Sequence, residues 1–294
     1  MSDCRDFKDQ RLLQLKTLSG MVDAVNAGDA ASYARAYEPN AVIKIYGLTE
    51  ITGREAIQEY ETGLLAQFPG ARLAWYSVCQ KGTTAIVHYG VNGRTPDGRA
   101  MGHEGLLFFR FSRSGLILEE RRYADSLTPM TQLGLIKGLD ARSIPVLPSE
   151  PKLCAPESPH HLNRIRSVKR MLKALAAGDR SIFVRAFADS SSIRELILDR
   201  SFDGKAGVDS WFDIWSKAVK SQRFEASKIQ QMGSAVFVEV RMTGVFTQHL
   251  EDLPVPTGSF RVHRAFVFEF KGGKIARMSS YLNGKELNIE LNRG

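Results

Sequence analysis

The stretch AVNAGDAASYARAY, residues 24–37, returns later in the chain as ALAAGDRSIFVRAF, residues 174–187. The alanines, the Gly-Asp pair, the Arg-Ala pair and the closing aromatic fall at matching places. Two further matches keep the same order. ITGREAI (51–57) is answered by FDGKAGV (202–208). FFRFSRSGLILEERRYAD (108–125) is answered by VFEFKGGKIARMSSYLN (267–283), with Gly115 opposite Gly273 and Tyr123 opposite Tyr281. A repeat of this span makes each copy a structural unit in its own right. Between the copies, five of the eleven prolines crowd into PVLPSEPKLCAPESP, residues 145–159. Such a run can hold neither a helix nor a central strand and reads as a semi-rigid tether. The chain therefore divides into a first domain, 1–144, a linker, 145–161, and a second domain, 162–294.

Each copy has the same internal grammar. A long amphipathic helix comes first, with Leu12, Leu15, Leu18, Val22 and Val25 on one stripe in the first copy and Ile165, Val168, Leu172 and Leu175 in the second. Gly28-Asp29 and Gly178-Asp179 end it and start a short second helix, glycine as the C-terminal stop and aspartate as the N-cap. A short strand pair follows (AVIKIYGL, SIRELIL), and a third helix comes after Gly53 and Gly204. Strand-like runs then complete the first copy: RLAWYSVCQ, TTAIVHYGV, RAMGHEGLLFFRF and LILEERRYAD. Three helices followed by an antiparallel meander is an α+β pattern, in which a bent sheet wraps the helices.

Composition narrows the function. Hydrophobic residues make up 43% and charged residues 24%, as in an ordinary globular protein. No apolar run approaches the roughly 18–20 residues that span a bilayer. The start, MSDCRDFKDQ, lacks the apolar core of a signal peptide, so a cytoplasmic protein is expected. The three cysteines, Cys4, Cys79 and Cys154, are odd in number and far apart, which argues against a disulfide framework or a thiolate metal cluster. Nearly all of the net charge of +8 falls in the second half, but its basic residues are scattered. They read as a solvated helical face, without the basic block or interleaved aromatics of a nucleic-acid binder. No metal-ligand cluster, phosphate-binding glycine loop or nucleophile elbow occurs. Neither cofactor, nucleic acid nor membrane is expected as a partner.

The helix ending in AGD, the strand pair closing at ITGREAI and the loop Phe68-Pro69-Gly70 form an ordered set with a glycine turn, a final strand ending in YAD and the tail QLGLI (132–136). In this order and spacing the chain resembles the SnoaL-like, polyketide-cyclase-like branch of the NTF2-like, ketosteroid-isomerase-like superfamily. The resemblance covers residues 8–136 well and 162–288 more loosely. It implies two tandem α+β cone domains. Packing of the two as an intramolecular pseudo-dimer is also expected, with further association between chains left open. It implies a cofactor-independent acid/base enzyme on a small hydrophobic carbonyl compound, by intramolecular aldol closure or isomerisation in secondary metabolism. Tandem domains of this fold also resemble polyether-type epoxide hydrolases, which need a carboxylate pair; Glu38 with Glu55 or Glu59, and Asp189 with Asp213, are the candidates. A non-catalytic small-molecule-binding or scaffold protein is the third reading.

The resemblance places an aspartate general acid/base at the end of the last strand and a histidine on the neighbouring strand, and Asp125 and His103 match those positions. Alternation along 100–111 sets His103 among Met101, Leu107, Phe109 and Phe111 on the helix-facing side. Alternation from Ile117 would set Arg121, Tyr123 and Asp125 on that side too. Asp125 could instead bind the following turn, SLTP. Arg121 and Tyr123 are expected ligand contacts, as is one of Trp75 and Tyr76, with Trp75 preferred. Tyr33 and Tyr37, four apart, read first as packing, and Tyr33 is kept as a ligand contact. In the second copy Val262 stands opposite His103 and Asn283 opposite Asp125, so that copy loses its acid/base pair. Its Arg264, on an apolar face, needs an internal carboxylate such as Glu239 or an anionic ligand. Arg264 and Asn283 are therefore expected to bind or support rather than catalyse, and whether the ligand is anionic stays open.

Strand 100–111 is apolar on both faces, with Leu106 and Phe108 on the side away from the helices. That face wants a covering surface, and the second copy is expected to supply it. Residues 1–144 expressed alone should then self-associate, seen as a concentration-dependent mass in light scattering. A fragment that stays monomeric and soluble at high concentration contradicts this packing.

Overall fold

Glycine and aspartate at the repeat's signature do the work their chemistry suggests. In the computed structural model, which describes residues 3–136, 139–154 and 161–292, helix α1 (Asp3–Ala27) ends at Gly28, whose φ of 70° lies in the left-handed region. Gly28 N donates to Val25 O and Asp29 N to Ala24 O, the paired bonds of a Schellman stop. Asp29 then caps the short α2 (Ala30–Ala34) by accepting from Ser32 N at 2.8 Å. The second copy repeats the device. Helix α5 (His161–Ala177) stops at Gly178, and Asp179 caps α6 (Arg180–Arg185) by accepting from Ile182 N.

By their contacts the residues form two units, one of Met1–Ala124 with Thr128–Cys154, the other of Asp125–Leu127 with Ala155–Gly294. In the first, β1 (Tyr37–Ile45) and β2 (Thr49–Thr52) precede α3 (Arg54–Gln67). The meander β3 (Arg72–Lys81), β4 (Thr84–Arg94), β5 (Ala100–Phe111) and β6 (Ile117–Ala124) follows. Helix α4 (Leu127–Gln132) and a two-residue strand, β7 (Lys152–Leu153), come after it. The sheet runs β2-β1-β6-β5-β4-β3-β7, antiparallel except where β6 lies parallel to β1 and β7 parallel to β3. Its inner face packs Ile43, Val87, Leu107, Phe109 and Ile117 against Leu18, Met21 and Ile57 of the helices. Leu106 and Phe108, on the other face, are buried as well.

The second unit repeats this plan with β8 (Phe187–Glu195), β9 (Arg200–Asp203) and α7 (Gly204–Ala218). Strands β10 (Val219–Met232), β11 (Ala235–Phe246), β12 (Gly258–Lys271) and β13 (Lys274–Leu282) follow, then α8 (Gly284–Leu291). The order β10-β11-β12-β13-β8-β9 matches the first sheet without its added edge strand. Two tandem α+β domains are thus the architecture.

Two features depart from the sequence reading. Cys79 and Cys154 are joined as a disulfide, with Cα atoms 4.8 Å apart, although 75 residues separate them. The linker folds back beside β3 and brings Cys154 to it, which cysteine spacing alone does not reveal; the side chain of Cys4 lies outside the described ones. The linker as far as Cys154 is also not a bare tether, since β7 pairs with Ser77 and Val78; residues 155–160 lie outside the described residues.

Candidate functional site

One irregularity decides which side chains enter the first domain. Phe111 of β5 pairs with Ile117, yet Arg110 pairs with Glu119, so Leu118 is an extra residue in β6. A bulge of this kind restarts the two-residue alternation. Beyond it Glu120 lies opposite Phe109 and Arg122 opposite Leu107, on the helix-facing side. Arg121 lies opposite Phe108 and Tyr123 opposite Leu106, on the other face. The expectation that Arg121 and Tyr123 share the inner face is therefore corrected. Arg121 donates to Glu119 Oε1 at 3.0 Å and lies over the Phe108 ring, and Tyr123 packs on Phe108 and Tyr46.

Turned inward, Arg122 organises a buried polar ring. Its Nη2 donates to Glu61 Oε1 of α3 at 2.7 Å and to the Tyr33 hydroxyl at 3.0 Å, and its Nε donates to Glu120 Oε1. Tyr37 donates to Glu120 Oε2, and its hydroxyl stands 3.2 Å from that of Tyr33. A phenol has one proton. The carboxylate takes that of Tyr37, so Tyr33 donates to Tyr37 while accepting from Arg122. Every hydroxyl in the ring is then satisfied, and so are both oxygens of Glu120. Glu61 Oε2 is the carboxylate oxygen left without a donor among the described residues.

Burial sets the ionisation of these groups. It pushes the Glu61 carboxyl above its ordinary value, with Arg122 opposing. It raises the phenols of Tyr33 and Tyr37 well above theirs. For Arg122 burial disfavours the charge, but Glu120, with Tyr33 and Glu61, holds the guanidinium protonated well above its usual range.

His103 lies on the same inner face, opposite Val91. Its Nε2 is 3.2 Å from the Tyr89 hydroxyl, and Nδ1 is enclosed without a partner among the described residues. A side chain at Gly105 would collide with the Tyr89 ring at 2.4 Å, so glycine there admits the ring beside His103. Burial, reinforced by the Arg122 charge, lowers the His103 pKa from 6.5 to about 4. The imidazole is neutral at pH 7. Trp75 points inward and donates to Leu18 O at 3.1 Å, while Tyr76 lies on the outer face stacked on His88.

Asp125 follows the end of β6. Its Oδ1 accepts from Leu127 N at 3.0 Å, the turn-forming bond open to an aspartate before SLTP. Asn283 caps α8 by accepting from Lys285 N and Glu286 N, and within the same unit it accepts from Ser126 Oγ. Glu55 and Glu59 are exposed, because α3 turns Ile57 and Glu61 inward at i, i+4 spacing. Glu38 accepts from Ser114 at the surface, Asp189 pairs with Lys205, and Asp213 pairs with Arg180. The expected carboxylate pairs are replaced, in the first domain, by Glu61 and Glu120.

In the second domain Arg264 is fully buried, and its partner is Glu195, at 2.5 Å, rather than Glu239. Glu239 pairs with Ala265 and so lies on the opposite face of the sheet. Ser280 and Trp211 also donate to Glu195, at 2.9 and 3.0 Å. Arg264 stacks over Trp215 at 4.0 Å. Removing one member would orphan a buried charge, at a cost of about 3–5 kcal/mol. Val262 is fully buried where the first copy has His103.

Sequence reasoning missed Glu61, Glu120, Arg122, Tyr89 and Glu195. The second copy carried the clue to the bulge: Ile275 and Met278, both buried, lie three apart, a spacing that unbroken alternation forbids.

The SnoaL-like domain family model matches residues 18–120 and again 168–278, so the chain belongs to that family through both halves. No curated protein matches it. Among solved structures, IdmH of Streptomyces antibioticus, a proposed polyketide cyclase, is 25% identical over 41% of this chain and 98% of its own, with a TM-score of 0.37. An LEH-like epoxide hydrolase of M. tuberculosis is 19% identical over 46% of this chain and 94% of its own, with a TM-score of 0.39. A protein of Catenulispora acidiphila with a ketosteroid isomerase-like fold, in complex with trimethylamine, is 15% identical over 43% and 92%, with a TM-score of 0.38. No helix among the described residues is long and apolar enough to cross a membrane.

The lowered pKa of His103 makes a pH prediction. The unfolded chain binds a proton at this residue near pH 6.5, the folded one only near 4. The neutral imidazole's contribution is therefore complete above about 6.5 and is lost as pH falls toward 4. Thermal melts from pH 7 to 4 should show a steeper loss of Tm for the wild type than for His103→Gln. Parallel curves contradict the buried, neutral histidine.

Proposed function

We propose that the first domain is a cofactor-independent acid/base enzyme for a small hydrophobic carbonyl compound, acting by proton transfer next to the carbonyl, as in aldol closure or isomerisation. The observation that carries this reading is the ring around Arg122, in which Oε2 of Glu61 is the carboxylate oxygen that takes no donor among the described residues. A carboxylate raised by burial, with one free lone-pair face, is suited to take a proton from carbon and return it. Arg122 holds it and places positive charge where an enolate oxygen would develop. Neutral His103, with Nδ1 unclaimed, is a second proton carrier on the same face. Leu107, Phe109 and Trp75, in the same interior, are hydrocarbon surfaces that suit an apolar substrate skeleton.

Epoxide opening is the second reading, favoured by the arrangement Glu61–Arg122–Glu120. One carboxylate activates water, and a protonated one gives its proton to the epoxide oxygen, with the guanidinium holding both. The second domain, with Met278 and Ser280 where the first has Glu120 and Arg122, supports or binds rather than transferring protons.

Turnover on poly-β-ketone and epoxide substrates separates the two reactions. In whichever is active, Glu61→Gln should lower kcat by roughly 10²–10⁴-fold with the fold intact, as loss of a general acid/base does. Asp125→Asn should stay within a few-fold of wild type. Full activity in Glu61→Gln, together with a large loss in Asp125→Asn, would assign the chemistry to Asp125 and leave the Arg122 ring a packing device.

A further inference from the structure

Residues 142–154 cross the outer face of the first sheet as a strap. Gln132 Nε2 donates to Arg142 O and Ser143 O, both at 3.2 Å. Asn92 Nδ2 reaches Pro145 O at 3.4 Å, and the Tyr76 hydroxyl donates to Val146 O at 2.9 Å. Pro145 and Leu147 ride over glycines. A side chain at Gly102 would meet Pro145 at 3.0 Å, and one at Gly90 would meet Leu147 at 2.9 Å. The strap ends by pairing β7 with Ser77 and Val78 and donating Cys154 N to Val78 O at 3.0 Å. It thereby covers the free edge of β3, which would otherwise offer unpaired backbone groups to another strand.

Little apolar burial holds this strap. Val146 is 87% exposed, Leu153 48% and Ile144 38%. A segment held by a few hydrogen bonds and two paired residues opens at low free energy. The covalent bond from Cys154 to buried Cys79 is the one strong attachment at its end. Cys154 is only partly buried, unlike Cys79.

We propose that the Cys79–Cys154 bond is a redox-operated clasp that locks the strap over the β3 edge when oxidised and lets it detach when reduced. Closure is a two-electron oxidation by a low-molecular-weight disulfide. The Cys154 thiolate attacks one of its sulfurs and expels a thiolate. The Cys79 thiolate then attacks the Cys154 sulfur of the mixed disulfide and expels the second thiolate. Two protein thiols thus lose two electrons and two protons, and the small disulfide becomes two thiols. Reductive opening by a dithiol runs the same steps backward.

Peptide mapping and hydrogen exchange on the full chain test this. After incubation with oxidised glutathione and alkylation of remaining thiols, digestion without reductant should yield Cys79 and Cys154 peptides linked to each other. Reduction with dithiothreitol should then speed amide exchange in residues 142–154 by at least about tenfold. Cys154→Ser should show the fast exchange with or without reductant, and Cys4→Ser should behave as wild type. Absence of the linked peptide overturns the proposal. So does a broken link that leaves exchange over 142–154 unchanged, because the strap would then be held by its hydrogen bonds alone.

Discussion

The extra residue Leu118 in β6 governs the chemistry of the first domain. Without it, unbroken alternation from Ile117 would send Glu120 and Arg122 to the outer face and bring Arg121 and Tyr123 inward. With it, a guanidinium and a carboxylate enter an interior that also holds Leu107, Phe109, Trp75, Tyr89 and His103. A buried charge is tolerated only when paired and hydrogen-bonded. The rest of the polar interior follows as the answer to that demand: Glu61 from α3, Tyr33 from α2 and Tyr37 at the start of β1 each satisfy part of Arg122 or Glu120. Helices and sheet are thereby tied at one point.

The second domain shows what the same backbone does with other side chains. Its β13 bulges at the matching place, Phe270 pairing with Ile275 and Glu269 with Arg277. The inward positions there are Met278 and Ser280, and the buried charge sits one strand away, as Arg264 paired to Glu195. Trp211 and Ser280 complete Glu195, so its carboxylate is saturated by neighbours. The repeated architecture thus carries two different interiors, one with a carboxylate oxygen left over and one whose carboxylate is fully engaged.

How much of this was legible in the sequence follows from the range of each signal. The repeat, the helix stops at Gly28 and Gly178 and the caps at Asp29 and Asp179 are local, and they read correctly because a positive φ and a side-chain cap depend on adjacent residues. The inward facing of His103 read correctly because β5 alternates without interruption up to Arg110. Arg121 and Tyr123 were misplaced because ILEERRYA gives no apolar marker after the bulge to reveal the change of face. The sequence offers Glu239 as an example of a partner for Arg264 and does not point to Glu195, because strand pairing between distant segments is not written in either segment alone. The Cys79–Cys154 bond depends on the linker's return to β3, which proline content does not encode.

The central claim is that burial raises the Glu61 carboxyl above its ordinary pKa while Arg122 holds it in place. Carboxyl ¹³C NMR of glutamate-labelled protein, with Glu61→Gln to assign the signal, measures this directly. The account predicts a Glu61 titration midpoint above the ordinary glutamate value of 4.5. A midpoint at or below 4.5 would show Glu61 to be an ordinary ion-pair partner of Arg122 and would contradict the account.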